Sequence, residues 1–350
     1  MSPAGSIVSS GSKTFVSSMQ SCDTLHFSVS VPSVRNWNHE TPELYTLLVA
    51  TFNEKRPQEY MSFRIGFREA GCRDGMLTID GVVVPLRTAC YAANPLRPLT
   101  QAKLTQLKSQ GYNCIVVDGT SQPDFFYSLC DSIGMYVMDV ADINFTAETY
   151  AGTRNPGNDP LWRDAFRDRI RRMYYHSHIH PCVVISAPAC HADNGYCMYE
   201  GYLDLKHIGR GRPVFYYDAD GQWNNDLDVS QLFGSKVMER PDGKVAVSLV
   251  CEDEEWYLAL CNNRLLTATE GTYRIVVRSG RKKTAVLSES FRLDGGGEMR
   301  VPLGVIGELD KGSVDVELHI RKDSAEMNSA NKGRRRVADM YNRQEYRLTM

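Results

Sequence analysis

Hydrophobic and polar residues alternate in short runs near the start of the chain. The runs LHFSVSV, LYTLLVATF and MSFRIGF lie between residues 24 and 70 and are separated by turns rich in Pro, Asn, Lys and Arg. Alternation with a period of two is typical of antiparallel strands with one buried face. We therefore predict that residues 1–75 form a partial, immunoglobulin-like β-sandwich.

The pattern changes between Met76 and about Phe233. Near-continuous apolar runs such as CIVVD, MYVMDV and CVVISA alternate with segments whose apolar residues recur every three or four positions. Apolar runs buried on both faces, each followed by an amphipathic helix, indicate parallel βαβ units. Within DPLWRDAFRDRIRRMYYH, Asp159 and Pro160 predict the start of a helix. Its apolar stripe consists of Trp162, Phe166, Ile170 and Met173.

Strand patterning returns after Pro241. The runs KVAVSLVC, WYLALCNN, TYRIVVRS, AVLSESFRL, EMRVPL and VDVELHIRK are separated by turn sequences such as EGT and DGGG. Glycine-containing turns between alternating runs are typical of antiparallel sheets. Residues 236–350 are therefore predicted to form a second β-sandwich.

The net charge and the cysteines indicate which binding partners and which cellular compartment to expect. The chain has 40 Lys and Arg against 42 Asp and Glu, a net charge of -2, which gives no field that would attract nucleic acid or anionic lipid. No run approaches the ~18 apolar residues of a membrane span. The first residues lack the basic and apolar regions of a signal peptide, so we expect a cytoplasmic protein. Ten cysteines without CxxC pairs favour a reduced protein without a zinc site.

Several phrases, in their order along the chain, resemble glycoside hydrolase family two, the β-galactosidase-like branch. They are VPSVRNWNHETPELYTLLV, IGFRE, DGMLTIDGVVVPLR, SLCDSIGMYVMDVADIN, IHPCVVISAPACHADNG and LCNNRLLTATEGTYRIVV. The resemblance implies a sandwich, a TIM-type (β/α) barrel and a further sandwich, with no cofactor. A closed barrel takes ~250 residues. Residues 76–235 are therefore expected to form an incomplete barrel of five or six strands.

The resemblance also places the catalytic positions, and there the chain departs from the family. Retaining glycosidases need two carboxylates about 5 Å apart, one as proton donor and one as nucleophile. The position of the acid is occupied by His191 and that of the preceding Asn by Cys190. No residue matches the nucleophile, which the family carries on its seventh barrel strand. We therefore predict a β-galactosidase-like homologue without hydrolytic activity, that is, a pseudoenzyme with no catalytic residue.

Polar residues at the carboxyl ends of the parallel strands are the candidates for a retained site, because barrel sites lie at that end. The segment DVADIN, residues 139–144, matches a family phrase that contains several charged residues. Asp139 is the one position of this phrase that keeps the family's charge. We expect weak carbohydrate or protein binding there. The candidate residues are Asp118, Asp139, Asp142, Asn144, Asp193 and Trp223.

Two alternatives stay open at this point. One is an active exo-acting β-glycosidase that cleaves terminal β-linked sugars. Its site would be rebuilt around His191 as a general acid or shared between the subunits of a homo-oligomer. The other is a non-functional gene remnant, because the edges of an open barrel must be covered or they promote aggregation.

Three further signals are given structural interpretations. His176, His178 and His180 could bind a metal, but their place between a helix and a strand favours contacts with helix-end carbonyls. Cys190 and His191 are adjacent on a strand, where side chains point to opposite faces, so they do not form a catalytic pair. The basic run KGRRR is interpreted as a solvated loop. No metal is predicted.

Overall fold

The computed structural model divides into two compact units, residues 1–235 and 236–350. The three-segment division predicted from the sequence stays a prediction. The residues that the structure describes are 1–16, 22, 24–92, 99–118, 122–145, 155–189, 192, 195–216, 225–228, 244–252, 255–279, 282–305, 312–323 and 341–349.

The first unit begins with two small antiparallel sheets. Strands β1 (Tyr45–Asn53) and β2 (Arg56–Ile65) form a hairpin. Strands β3 (Ala70–Arg73), β4 (Met76–Ile79) and β5 (Val82–Val83) form a three-stranded sheet. Both turns of this sheet are Asp-Gly pairs with positive φ angles at both residues, the conformation that two-residue hairpins require.

One predicted strand is wrong. The run LHFSVSV, residues 25–31, is not a strand, and the first strand within the described residues begins at Tyr45. Its apolar residues Leu25, Phe27 and Val29 are 40%, 52% and 48% exposed. Alternation alone therefore did not produce a strand, because a strand is stabilised by pairing and by burial of one face.

A parallel sheet forms the centre of the first unit. Its order is β6 (Thr88–Ala92), β7 (Cys114–Asp118), β8 (Tyr136–Val140) and β9 (Val183–Ala187). All three pairings are parallel, and Val214 adds a parallel bridge to Ser186 at the edge of β9. This arrangement agrees with the predicted incomplete barrel. The described residues contain four of the five or six strands predicted, and the Val214 bridge lies where a fifth would pair.

The helices accompany this sheet as α1 (Gln101–Ser109), α2 (Asp124–Ile133), α3 (Arg163–Ser177) and α4 (Tyr196–Ile208). The predicted cap is present, since Asp159 accepts a hydrogen bond from the backbone of Leu161 at 3.1 Å. It caps the short 3₁₀ helix Pro160–Trp162, after which α3 begins. Among the described residues, no helix is long and apolar enough to cross a membrane.

The sequence pattern predicts no helix over the residues of α4. The segment contains Gly201 in its middle, and glycine disfavours helix by about 1 kcal/mol relative to alanine. The structure gives the reason for the glycine, because a Cβ atom at Gly201 would lie 2.4 Å from Cδ1 of Ile170 in α3. Close packing of α4 against α3 therefore outweighs the poor helix propensity of this residue.

The second unit is an antiparallel β-sandwich, as predicted. One sheet has the order β10 (Val245–Glu252), β11 (Glu255–Asn262) and β14 (Glu298–Val305). The other has the order β13 (Lys282–Leu293), β12 (Thr269–Ser279), β15 (Gly312–Arg321) and β16 (Tyr341–Thr349). Residues from both sheets share one buried apolar core that includes Leu258, Ile275, Val301 and Val316.

Candidate functional site

The carboxyl ends of the parallel strands meet at one edge of the sheet. Ala92 is paired with Asp118 at the ends of β6 and β7, and Val140 is paired with Ala187 at the ends of β8 and β9. This register brings the segments that follow these strands to one side of the sheet, the side at which barrel enzymes bind substrate. We call this side the carboxyl edge.

Several predicted site residues lie outside the described part of the chain. They are Cys190, His191, Asp193 and Trp223. For Asp118 the structure gives the backbone, as the last residue of β7, but not the side chain. The assignment of these residues to a binding site stays a prediction.

Two candidates are exposed just beyond the end of β8. Asp142 and Asn144 alternate with the buried residues Ile143 and Phe145. Nη1 of Arg169 donates to the backbone oxygen of Asp142 at 2.9 Å and lies 3.4 Å from its carboxylate. The side chain of Asp142 is still 55% exposed. Both residues are therefore accessible to a ligand, with the charge of Asp142 partly balanced by Arg169.

Asp139 lies in a different environment from these two. It is only 1% exposed, and its Oδ1 accepts a hydrogen bond of 2.9 Å from the hydroxyl of Tyr127 in α2. Burial raises the pKa of Asp139 above its usual value, although the hydrogen bond from Tyr127 and the charge of Arg212 oppose that shift. Asp139 thus faces the helices. This geometry favours a structural role over the predicted contact with a substrate.

Beside Asp139 lies a group of buried polar atoms that the sequence analysis did not anticipate. Within the described residues, Oδ2 of Asp139, Oγ of Ser186 and Nη1 of Arg212 have no hydrogen-bond partner. Asp139 and Ser186 are register partners on neighbouring strands. The guanidinium of Arg212 lies 5.2 Å from the ring centre of Tyr174, and burial lowers its pKa. A charged residue directly before the apolar run PVFYY was the signal that could have pointed to this group.

A second buried polar group joins α2 to the start of β9. Nδ1 of His180 donates to Oδ2 of Asp131 at 2.6 Å, and the backbone N–H of Cys182 donates to Oδ1 at 2.9 Å. The ring of His180 stacks on Tyr127 with centroids 5.2 Å apart. Trp37, which is fully buried, donates its indole N–H to the backbone oxygen of Asp131. The Asp131–His180 pair therefore joins several elements of the first unit.

The three histidines of HSHIHP are thus separated by their partners. The ring of His176 bonds to the backbone oxygen of Gln122, and that of His178 bonds to the backbone oxygen of Tyr175, each at 2.9 Å. His180 is bound to Asp131. Contacts with backbone carbonyls, as expected from the sequence, account for two of the three rings. Across the residues that the structure describes, no group of three or more His, Cys, Asp or Glu could hold a metal ion.

The described part of the carboxyl edge offers hydrogen bonding and an exposed carboxylate. Of the predicted carboxylates whose side chains are described, Asp142 is exposed and Asp139 is buried. A retaining mechanism needs two carboxylates facing the same bond. These two residues do not meet that need, because Asp139 points into the helix layer. The arrangement is suited to binding a polar ligand.

Two family models match the chain, and together they cover more than half of it. The model described as "Glycosyl hydrolases family 2, TIM barrel domain" matches residues 105–252, and that described as "Glycosyl hydrolases family 2" matches residues 2–68.

The chain is also similar to part of several longer proteins named β-galactosidase. The chain is 28% identical over 196 residues to a β-galactosidase of Aeromonas hydrophila subsp. hydrophila and 27% identical over 216 residues to one of Klebsiella pneumoniae. The matches cover 54% and 59% of this chain but only 19% and 20% of the relatives. A solved β-D-glucuronidase from Dictyoglomus thermophilum is 15% identical, with a TM-score of 0.46, over 57% of this chain and 37% of that protein.

Proposed function

Because this chain belongs to glycosyl hydrolase family 2, we propose that it binds carbohydrate at the carboxyl edge of its parallel sheet without hydrolysing it. The observation that carries this proposal is the pair Cys190 and His191, which stands where the resemblance expects Asn and the acidic Glu. A histidine cannot supply the second carboxylate that a retaining mechanism uses. The proposed activity is therefore recognition of a sugar.

The ligand class follows from the relatives and from the polar residues at the carboxyl edge. The matched relatives are β-galactosidases, so a terminal β-linked galactose is the proposed ligand. Asp142 and Asn144 are exposed there and offer acceptors and donors for sugar hydroxyls. Trp223 adds an apolar ring against which a sugar face can pack. Binding through so few groups is expected to be weak, with a Kd of about 1 mM.

The first experiment measures turnover of aryl β-galactosides and aryl β-glucuronides by the purified protein, with a melting curve recorded in parallel. We expect a cooperative melt and no turnover above the buffer rate. Turnover that disappears in His191→Ala, with the melt unchanged, would instead show that His191 acts as a replacement acid. The absence of any cooperative melt would favour a gene remnant and would contradict the proposal.

The second experiment measures binding of lactose by NMR titration. Trp223→Ala is expected to weaken binding about tenfold, the effect of losing one well-packed aromatic contact. The matched control is Tyr60→Ala, which removes an exposed aromatic ring, 66% accessible, from β2. Equal affinity in the wild type and Trp223→Ala would remove Trp223 from the site. The absence of saturable binding would contradict sugar recognition.

A further inference from the structure

A groove lies at the opposite end of helices α3 and α4 from the carboxyl edge. It has a volume of about 570 Å³, within the size range of small-molecule sites. Helix α3 ends at Ser177 and α4 ends at Ile208, each just before the chain returns to the sheet. We call this cavity at the ends of the two helices the tyrosine–histidine groove. The lining residues are Tyr174, Tyr175, His178, His207, Ile208 and Arg210.

The walls of the groove are held in place by stacking. The ring of Tyr174 lies over the guanidinium of Arg212 at 5.2 Å on one side and stacks on His178, with centroids 5.7 Å apart, on another. Its hydroxyl donates to the backbone oxygen of Ile208 at 2.9 Å. Tyr175 leaves 59% of its surface exposed. A ligand would therefore meet a preformed aromatic wall.

Two of the polar lining groups, Arg210 and His207, are donors without a partner among the described residues. Within the described part of the chain, neither Arg210 nor His207 has an ion pair or a hydrogen bond, and both side chains are exposed. Among the residues that the structure describes, no Asp or Glu lines the groove. Arg210 also has a φ of +47°, a left-handed conformation that is unfavourable for an arginine. Arg210 therefore places an unpaired guanidinium beside the groove while its backbone adopts an unfavourable conformation.

The surroundings reinforce the positive charge. Asp204, one turn before Ile208 on α4, is bound by both Arg167 and Arg171 of α3, so this cluster carries a net positive charge. The carbonyl ends of the two helices would disfavour an anion. Two of those carbonyls, of Tyr175 and Ile208, already accept hydrogen bonds from His178 and Tyr174. Their acceptor strength toward the groove is therefore reduced.

We propose that the tyrosine–histidine groove binds a small organic anion. Its carboxylate or phosphate group pairs with Arg210 and His207, and its body packs against Tyr174 and Tyr175. Charge complementarity selects the anion, since the described lining residues offer cationic and neutral donors and no carboxylate. This site is independent of the proposed sugar site, because it lies at the other end of the helices and uses none of the same residues.

The test is an NMR titration of the full chain with three probes: inorganic phosphate, phenyl phosphate and phenol. Phenyl phosphate is expected to bind more tightly than phosphate, and phenol is expected to show no saturation. Equal affinities for phosphate and phenyl phosphate would remove the aromatic wall from the proposal. Saturable binding of phenol with no binding of either phosphate would overturn the anionic class of ligand.

The key variants are Arg210→Asn and Arg210→Lys. Asparagine accepts a positive φ better than arginine, so this change removes the charge without adding strain, and a melting curve confirms folding. We expect Arg210→Asn to weaken phenyl phosphate binding at least about tenfold, and Arg210→Lys to retain most of it. Arg172→Gln is the control, because it removes a charge from α3 that pairs with Asp168 and does not line the groove. Equal loss in Arg210→Asn and Arg172→Gln would overturn the site.

Discussion

The parallel sheet of the first unit has two regions with different chemistry. Its helix-facing side contains a buried pair, Asp131 and His180, whose polar atoms are joined or satisfied by close hydrogen bonds. At its carboxyl edge, Asp142 and Asn144 are exposed, and the sequence has Cys190 and His191 where the family resemblance predicts Asn and Glu. The comparison teaches that the residues that hold this fold together are separate from those that would carry its chemistry.

Physical reasons explain why the two regions tolerate change so differently. Removing one partner of a buried ion pair leaves an uncompensated charge and costs roughly 3–5 kcal/mol. Removing an exposed charge costs about 0–1 kcal/mol, because water replaces the lost contact. A chain can therefore lose an acid at the carboxyl edge and keep its fold, whereas the helix-facing side is constrained.

The largest predicted effect is at Asp131. Asp131→Ala is expected to lower the free energy of unfolding by about 3–5 kcal/mol, because His180 and the N–H of Cys182 lose their acceptor. Urea unfolding followed by fluorescence measures this loss. Asp124→Ala is the control on the same helix, since its side chain is 77% exposed and should change stability by less than about 1 kcal/mol. Equal losses in both variants would contradict the difference between the buried and the exposed carboxylate.

The pH dependence of stability tests Asp139. Burial raises the pKa of its carboxyl above 3.8 in the folded state, so the folded protein holds this proton more tightly than the unfolded chain. The stability that this adds is fully present below the unfolded pKa and is lost as pH rises through the folded pKa.

Asp139→Asn is neutral at every pH and retains an acceptor for Tyr127. We therefore expect its stability, relative to the wild type, to rise as pH increases from about 4 to about 7. Melting curves across this range provide the measurement, with Asp142→Asn as the exposed control. A relative stability that falls over the same range would show that the Asp139 carboxylate is stabilised by its neighbours rather than destabilised by burial.

Two buried serines are predicted to affect the free energy of unfolding less strongly, and in opposite directions when each is replaced by alanine. Ser186 has no hydrogen-bond partner for its hydroxyl among the described residues, whereas Ser177 donates to the backbone oxygen of Met173 at 3.2 Å. Ser186→Ala is expected to keep or raise stability by up to about 1 kcal/mol, because an unsatisfied buried hydroxyl is removed.

Ser177→Ala is expected to lower stability by about 0.5–1.5 kcal/mol, the net value of one hydrogen bond. Both values come from the same urea unfolding measurement. If Ser186→Ala proves as costly as Ser177→Ala, the hydroxyl of Ser186 has a bridging partner, such as a water shared with Asp139 or Arg212.

Much of this architecture could be predicted from the sequence. The apolar runs that became β7, β8 and β9 and the spacing that became α3 are local signals, and both were interpreted correctly. The run LHFSVSV failed because its pattern did not reveal whether another strand would pair with it. Helix α4 was missed because Gly201 lowers the helix propensity of its sequence. The packing against Ile170 that favours a glycine there is a tertiary contact, which the local sequence does not show.

The site was harder to predict for a related reason. In β8 every residue is buried, so the sequence does not show which side chains face the helices. Asp139 was assigned to the carboxyl edge by its place in a family phrase, yet its carboxylate meets Tyr127. The partners Asp131 and His180 are 49 residues apart, a separation that no local pattern encodes.

The smallest predicted effect on stability lies at the carboxyl edge itself. Asp142→Ala removes an ion pair with Arg169 in which both side chains are about half exposed, so we expect a loss of no more than about 0.5 kcal/mol. Urea unfolding measures this, and the lactose titration measures binding in the same variant. Weaker lactose binding at unchanged stability would place Asp142 in the sugar site. A loss of 2 kcal/mol or more, on the order of a buried pair, would show that the carboxyl edge is as constrained as the interior.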